Sequence, residues 1–110
     1  MKLSEKQIHF TRMIGILIGY AHSMNIGLTF GEAWRTLEQQ EIYLKTGASK
    51  TLNSKHRDRL AVDFNVFIKG EYRTDKASYE ALGDFWKSLD PDNKWGGDWG
   101  WDANHFQHGG

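Results

Sequence analysis

Apolar residues return every three or four positions near the start of the chain, at Ile8, Met13, Ile14, Leu17, Ile18, Ala21 and Met24. The pattern predicts a first helix from about Glu5 to Ser23. Ser4 with Gln7 offers a capping box at its start, and Asn25-Ile26-Gly27 ends it. Met13 to Ala21 is its most apolar part, far short of the about 20 residues a membrane span needs. A signal peptide would need an A-x-A cleavage site and fewer polar residues before the run, so the stretch reads as a buried helix. Gly15 and Gly19, at G-x-x-x-G spacing, are expected to mark close packing against a neighbour.

Further along, Leu28 to Trp34 predicts a strand of imperfect alternation. Thr36, with Gln39 three residues on, caps a second helix over Leu37 to Lys45 that Gly47 stops. A polar loop follows over 48–55. Leu60, Val62, Phe64, Val66 and Ile68 then share one face of a strand, while Ala61, Asp63, Asn65 and Phe67 share the other. Lys69-Gly70 turns the chain into a short return at Glu71-Tyr72. Asp75 caps a third helix over Lys76 to Leu89, with Pro91 just beyond. The segment Lys94 to Gln107 is rich in Trp and Gly and fits neither a regular helix nor a long strand. There is no repeat, linker or low-complexity tract. The sum is an α+β fold: a small antiparallel sheet with helices packed on one side.

Composition narrows this picture. At 110 residues the chain is expected to form one domain, 1–110, burying about 65% of its unfolded surface. Hydrophobic content of 39% is that of a globular protein. A formal net charge of zero gives no footprint for nucleic acid or for an anionic membrane. With no cysteine in the chain, a metal has only His, Asp and Glu to hold it.

Four residues stand out chemically. Asp63 interrupts an apolar strand on the face away from the main core, where a carboxylate needs a partner: a metal, or Arg57 or Arg59. His56 lies on the loop before it. His9 and His22 fall on the first helix as surface or boundary residues. In an extended chain His105 and Gln107 point one way and Phe106 and His108 the other. His105 and His108 are therefore not expected on one ion, and His105 is the better ligand. Asp102, three residues before His105, either ends the turn after Trp101 or serves as a general base beside a metal. The indoles of Trp95, Trp99 and Trp101 either join the core or line a cleft.

Ser54-x-His56, then Ala61-x-Asp63, then Asp102-x-x-His105-Phe106-Gln107 resembles the zinc peptidases of the D-alanyl-D-alanine carboxypeptidase and phage L-alanyl-D-glutamate endopeptidase group, whose fold is shared with the hedgehog signalling domain. Glu32-Ala33-Trp34-Arg35-Thr36, Gln39-Gln40 and Trp95-Gly96-Gly97-Asp98-Trp99 add to the likeness, which covers about residues 28–107. The resemblance implies Zn²⁺ held by His56, Asp63 and His105, with a fourth position open. It implies Asp102 as general base and acid. Arg35 would stabilise an oxyanion or hold a substrate carboxylate, unless Glu32 or Glu38 claims it. Ser54 would bind substrate or brace a ligand, and Trp99 would stack on substrate.

The implied reaction is hydrolysis of a peptide bond in the peptidoglycan stem peptide, L-Ala-D-Glu first and D-Ala-D-Ala as the alternative. A phage-type lysin of this kind is expected to be monomeric, made in the cytoplasm without a signal peptide, and to act on the wall once the membrane is opened. A non-catalytic zinc-containing binding module and a metal-free carbohydrate-binding surface are the rivals. The family's glycine between the first His and the Asp is Arg59 here, which alters the approach to the strand or reads an acidic substrate. Position 102 carries Asp where many relatives carry Glu.

Overall fold

The computed structural model describes residues 1–47 and 54–110, so the loop expected over 48–55 lies largely outside the described residues. In chain order the elements are α1 (Leu3–Ser23), β1 (Ile26–Phe30), α2 (Leu37–Thr46), β2 (Ala61–Ile68), β3 (Glu71–Arg73), α3 (Lys76–Leu89), β4 (Asn93–Trp95), a 3₁₀ turn (Gly96–Trp99) and β5 (His105–His108). Strands run in the order β1-β2-β5-β4, with β3 also pairing β2, and every pairing is antiparallel.

β2 is the axis of the sheet. Its first half, Ala61 to Asp63, pairs with β5, and its second half lies between β1 and β3. Leu60, Val62, Phe64 and Val66 are buried on the face where Phe10, Met13, Ile14, Leu17 and Ala21 of α1 meet Tyr79, Leu82 and Trp86 of α3. The Trp86 indole N–H donates to Lys94 O (3.1 Å) and Gln107 O (3.0 Å), tying α3 to β4 and β5. The Tyr79 hydroxyl accepts from Val66 N–H (3.2 Å) and donates to Arg73 O (2.7 Å), which anchors α3 to β2 and to the end of β3.

Most predicted elements stand where the sequence puts them, and four details differ. α1 starts at Leu3 with Lys2 as an uncapped N-cap. Gln7 therefore completes no capping box, and its amide donates to Asp58 O instead (2.8 Å). β1 begins at Ile26 and not at Leu28, because Asn25 takes a left-handed turn (φ 58°) that lets the strand start at once. Its regular part ends at Phe30, although Gly31 N–H still donates to Asp63 O (2.7 Å) and Asp63 N–H to Glu32 O (2.8 Å). Gly15 and Gly19 face open space: a Cβ on either would meet nothing within 4 Å, so they mark no close packing. The Trp cluster divides: Trp95 is buried at 2% exposure, whereas Trp99 (42%) and Trp101 (59%) are exposed.

Thr36 caps α2 by accepting from Gln39 N–H (3.0 Å), and Gly47 (φ 81°) closes it, both as predicted. Asp75 caps α3 by accepting from Ser78 N–H (3.1 Å). α2 contributes no apolar residue to the core; its one buried residue is Gln40.

Candidate active site

β2 carries Asp63 to the face away from α1 and α3. The pleat requires this once Val62 and Phe64 are committed to the core. The backbone there is held on both edges, by Glu32 and Gly31 on one side and by the pairing with His105 on the other. That register sets the His105 imidazole beside the Asp63 carboxylate.

His56 arrives from a single helical turn. Leu60 N–H donates to Lys55 O (2.9 Å) and Arg59 N–H to His56 O (3.2 Å), the paired bonds of a Schellman closure. Arg59 occupies its left-handed position at φ 56°, where glycine is the usual residue. The backbone thus explains why relatives would carry glycine here. The Arg59 guanidinium lies over the Trp34 ring, 4.8 Å from its centroid.

Three atoms converge. His56 Nε2 lies 3.1 Å from His105 Nδ1, and Asp63 Oδ1 lies 3.2 Å from each of them. Ligands arranged tetrahedrally about zinc at about 2.0–2.1 Å are roughly 3.3 Å apart, so the triangle has the right size for such an ion. The tautomer agrees. Gln107 Nε2 donates to Gly109 O (2.7 Å), which turns its Oε1 toward His105 Nε2 (2.7 Å). His105 therefore carries its proton on Nε2 and aims the Nδ1 lone pair at Asp63 and His56. Lone pairs facing one another at this distance need a cation or a proton between them.

The electrostatics report the same demand. Burial would raise the Asp63 pKa, but hydrogen bonds and charge from His105 and His56 hold it down to about 2. Burial disfavours the charged form of His105, yet Asp63, Gln107 and Asp102 together raise its pKa above the ordinary value. His56 Nδ1 is buried and has no hydrogen-bond partner among the described residues.

Asp102 joins through a turn. His105 N–H donates to Asp102 O (3.0 Å), closing a four-residue turn in which aspartate favours the first position. The turn sets Asp102 Oδ2 at 3.8 Å from His105 Nδ1. Burial raises the Asp102 pKa, with His105 opposing and Asp63 adding to the rise. The missing Cβ of Gly96 makes room for this turn, since a methyl there would stand 2.0 Å from Asp102 O.

Arg35 is braced rather than free. Its Nε donates to Glu32 Oε1, and its Nη1 donates to Gln40 Oε1 (2.7 Å) and Ser54 Oγ (3.3 Å). The ion pair with Glu32 is the partner anticipated as its structural alternative. Ser54 Oγ also accepts from His56 N–H (3.2 Å), so it links Arg35 to the turn bearing His56. Trp99 leans on His105 with ring centroids 5.2 Å apart and Trp101 beside it at 6.1 Å.

Sequence reading missed Gln40, Tyr43 and Gln107 as supports. Tyr43 donates to Glu32 Oε2 (2.9 Å), and its ring lies 4.6 Å from the Arg35 guanidinium carbon. The available signal was Gln40 and Tyr43 at i and i+3 on α2, one face of that helix. His108 falls on the opposite face of β5 from His105, as alternation requires; its Nδ1 donates to Asn93 Oδ1 (2.8 Å).

Known proteins resemble this chain to different degrees. An L-alanyl-D-glutamate peptidase of Listeria phage A118 is 35% identical over 89 residues, covering 76% of this chain and 30% of the relative. The chain thus spans under a third of that relative's length. The crystal structure of the Serratia marcescens L-Ala D-Glu endopeptidase ChiX superposes with a TM-score of 0.77 at 24% identity, over 91% of this chain and 77% of that one. The vancomycin resistance D,D-pentapeptidase VanY of a VanB-type cassette, solved as an E175A mutant with Zn(II), gives 0.60 at 18% identity, over 94% and 72%. These two likenesses establish the fold. Residues 47–108, which carry His56, Asp63, Asp102 and His105, match the peptidase family model described as D-alanyl-D-alanine carboxypeptidase, and the chain belongs to that family.

Proposed function

We propose that the protein is a zinc peptidase that hydrolyses L-Ala-D-Glu bonds in bacterial peptidoglycan. The observation that carries this reading is the convergence of His56 Nε2, Asp63 Oδ1 and His105 Nδ1 beside Asp102 on the open face of the sheet. Two imidazoles and one carboxylate are the donor set of a catalytic zinc centre with a position left for water or substrate. Zinc held there would polarise the scissile carbonyl and lower the pKa of a water to about 7.

Each remaining step belongs to the chain's own residues. Asp102 takes the proton of the attacking water and returns it to the leaving amine, a role its place beside His105 allows. Arg35, fixed by Glu32, Gln40 and Ser54, presents the rest of its guanidinium to a substrate carboxylate or to the developing oxyanion. Trp99 offers an exposed indole at the rim, next to His105, on which substrate can stack.

The bond follows from the Listeria phage relative, and the phage source of that relative supports a lytic role. In that role the enzyme meets the wall after another protein has opened the membrane. No helix among the described residues is long and apolar enough to cross a membrane. The reading takes 1–110 as one domain acting as a monomer. The description of the family model favours a second reading, cleavage of D-Ala-D-Ala.

Digestion of purified peptidoglycan, with the released fragments identified by mass spectrometry, separates these. New D-glutamate amino termini are the expected result. Released D-alanine alone would replace the L-Ala-D-Glu reading with the second. No cleavage of any stem-peptide bond by the zinc-loaded protein would overturn both.

A further inference from the structure

The face of β5 opposite the candidate active site carries a second set of metal-type donors. His9 of α1, Asp90 at the C-cap of α3 and His108 of β5 each bring a ligand atom within 4.8 Å of the other two. His9 Nε2 is 2.9 Å from Asp90 Oδ2, and the two imidazoles meet edge to face with centroids 5.4 Å apart. We propose that these three residues form a second zinc site, separate from the candidate active site, with water completing its coordination.

Hydrogen bonding around His108 gives the argument its strength. Asn93 Nδ2 donates to Trp86 O (2.9 Å), which fixes the amide so that its Oδ1 faces His108 Nδ1 at 2.8 Å. His108 must then carry its proton on Nδ1, leaving Nε2 as a bare lone pair. That nitrogen has no hydrogen-bond partner among the described residues, on a side chain that is 8% exposed. A buried imidazole with one nitrogen fixed by an amide oxygen and the other unengaged is the arrangement that orients a metal ligand. Asp90 is similarly fixed: its Oδ1 accepts from Asp92 N–H (2.8 Å), and Oδ2 faces His9. The ion pair of His9 and Asp90 accounts for two of the three residues and leaves His108 Nε2 without a hydrogen-bond partner among the described residues.

Two histidines and one carboxylate suit zinc among the common divalent ions. The ligands come from three elements that are distant in sequence, so an ion there would staple α1, which precedes the family-matched segment, to the end of α3 and to the strand bearing His105. The backbone alternation that aims His105 at one ion aims His108 at the other.

The test uses the untagged full chain, stripped with a chelator, reloaded with Zn²⁺ alone, freed of excess and weighed by native mass spectrometry. The expected result is two zinc ions per wild-type chain and one in His9→Ala, which removes a side chain that is 41% exposed. Asp63→Asn, which disables the other site, should also keep one ion, and that ion should disappear in the double variant. Zinc should raise the melting temperature of Asp63→Asn and leave that of the double variant unmoved. The same zinc content with and without His9, in the wild-type and in the Asp63→Asn background alike, would overturn the proposal. Because the second arm works in a chain lacking Asp63, it stands whether or not the protein cleaves peptidoglycan.

Discussion

Arg59 adopts a left-handed backbone (φ 56°) that costs a residue with a side chain about 1–2 kcal/mol. Its guanidinium over Trp34 returns about 0.5–1 kcal/mol of that. The stacking thus offsets about half of the backbone cost, which helps a long cationic residue persist at a glycine-like position. Arg59→Gly should therefore change stability by less than about 1 kcal/mol, since relief of the backbone offsets the lost stacking and the greater freedom of the unfolded chain. Arg59→Val keeps the strain, adds a branched Cβ and loses the stacking, so it should cost more than about 1 kcal/mol. Urea unfolding of the three proteins side by side checks both values. Equal losses for Gly and Val would show that the backbone conformation is not what matters there.

Two glycines on helices separate propensity from packing. At Gly15 of α1 a methyl meets nothing, so Gly15→Ala should stabilise by about 0.5–1 kcal/mol through helix propensity alone. At Gly83 of α3 the same methyl would stand 2.2 Å from the Trp95 ring, which also has Gly97 pressed against it. Overpacking of this kind costs about 1–3 kcal/mol and outweighs the propensity gain, so Gly83→Ala should lower the melting temperature where Gly15→Ala raises it. The start of α3 adds a pH dependence. Hydrogen bonds from Ser78 hold the Asp75 pKa below its ordinary value of 3.8. Its contribution is thus fully present above about pH 4 and is lost as the pH falls through the depressed folded value. Asp75→Ala should melt below the wild type at pH 7, and the gap should close as the pH falls through that depressed value. A gap that persisted in acid would assign the loss to something other than the ionised cap.

At the scale of the molecule, the axis strand and the helix over 76–89 were legible because alternation and helical spacing record directly which side faces the core. His56, Asp63, Asp102 and His105 were legible as a set through the family resemblance of their ordered motifs, since the spacing alone left Asp63 and Asp102 open. Their convergence was not, because it depends on the β2–β5 register. The left-handed turn at Asn25 blurred the start of β1, and the bonds from Gly31 and Glu32 to Asp63 made its end irregular. The donors His9, Asp90 and His108 left no local signal, since only the tertiary fold joins three distant elements. The role of Asp102 ties these scales together: a turn made possible by Gly96 places one carboxylate beside the metal-type triangle without making it a ligand. Its most direct test is Asp102→Asn, with bound zinc and peptidoglycan cleavage measured on the same preparation. The variant should hold as much zinc as the wild type and lose at least about a hundredfold in cleavage rate. Cleavage at the wild-type rate with zinc in place would contradict the account.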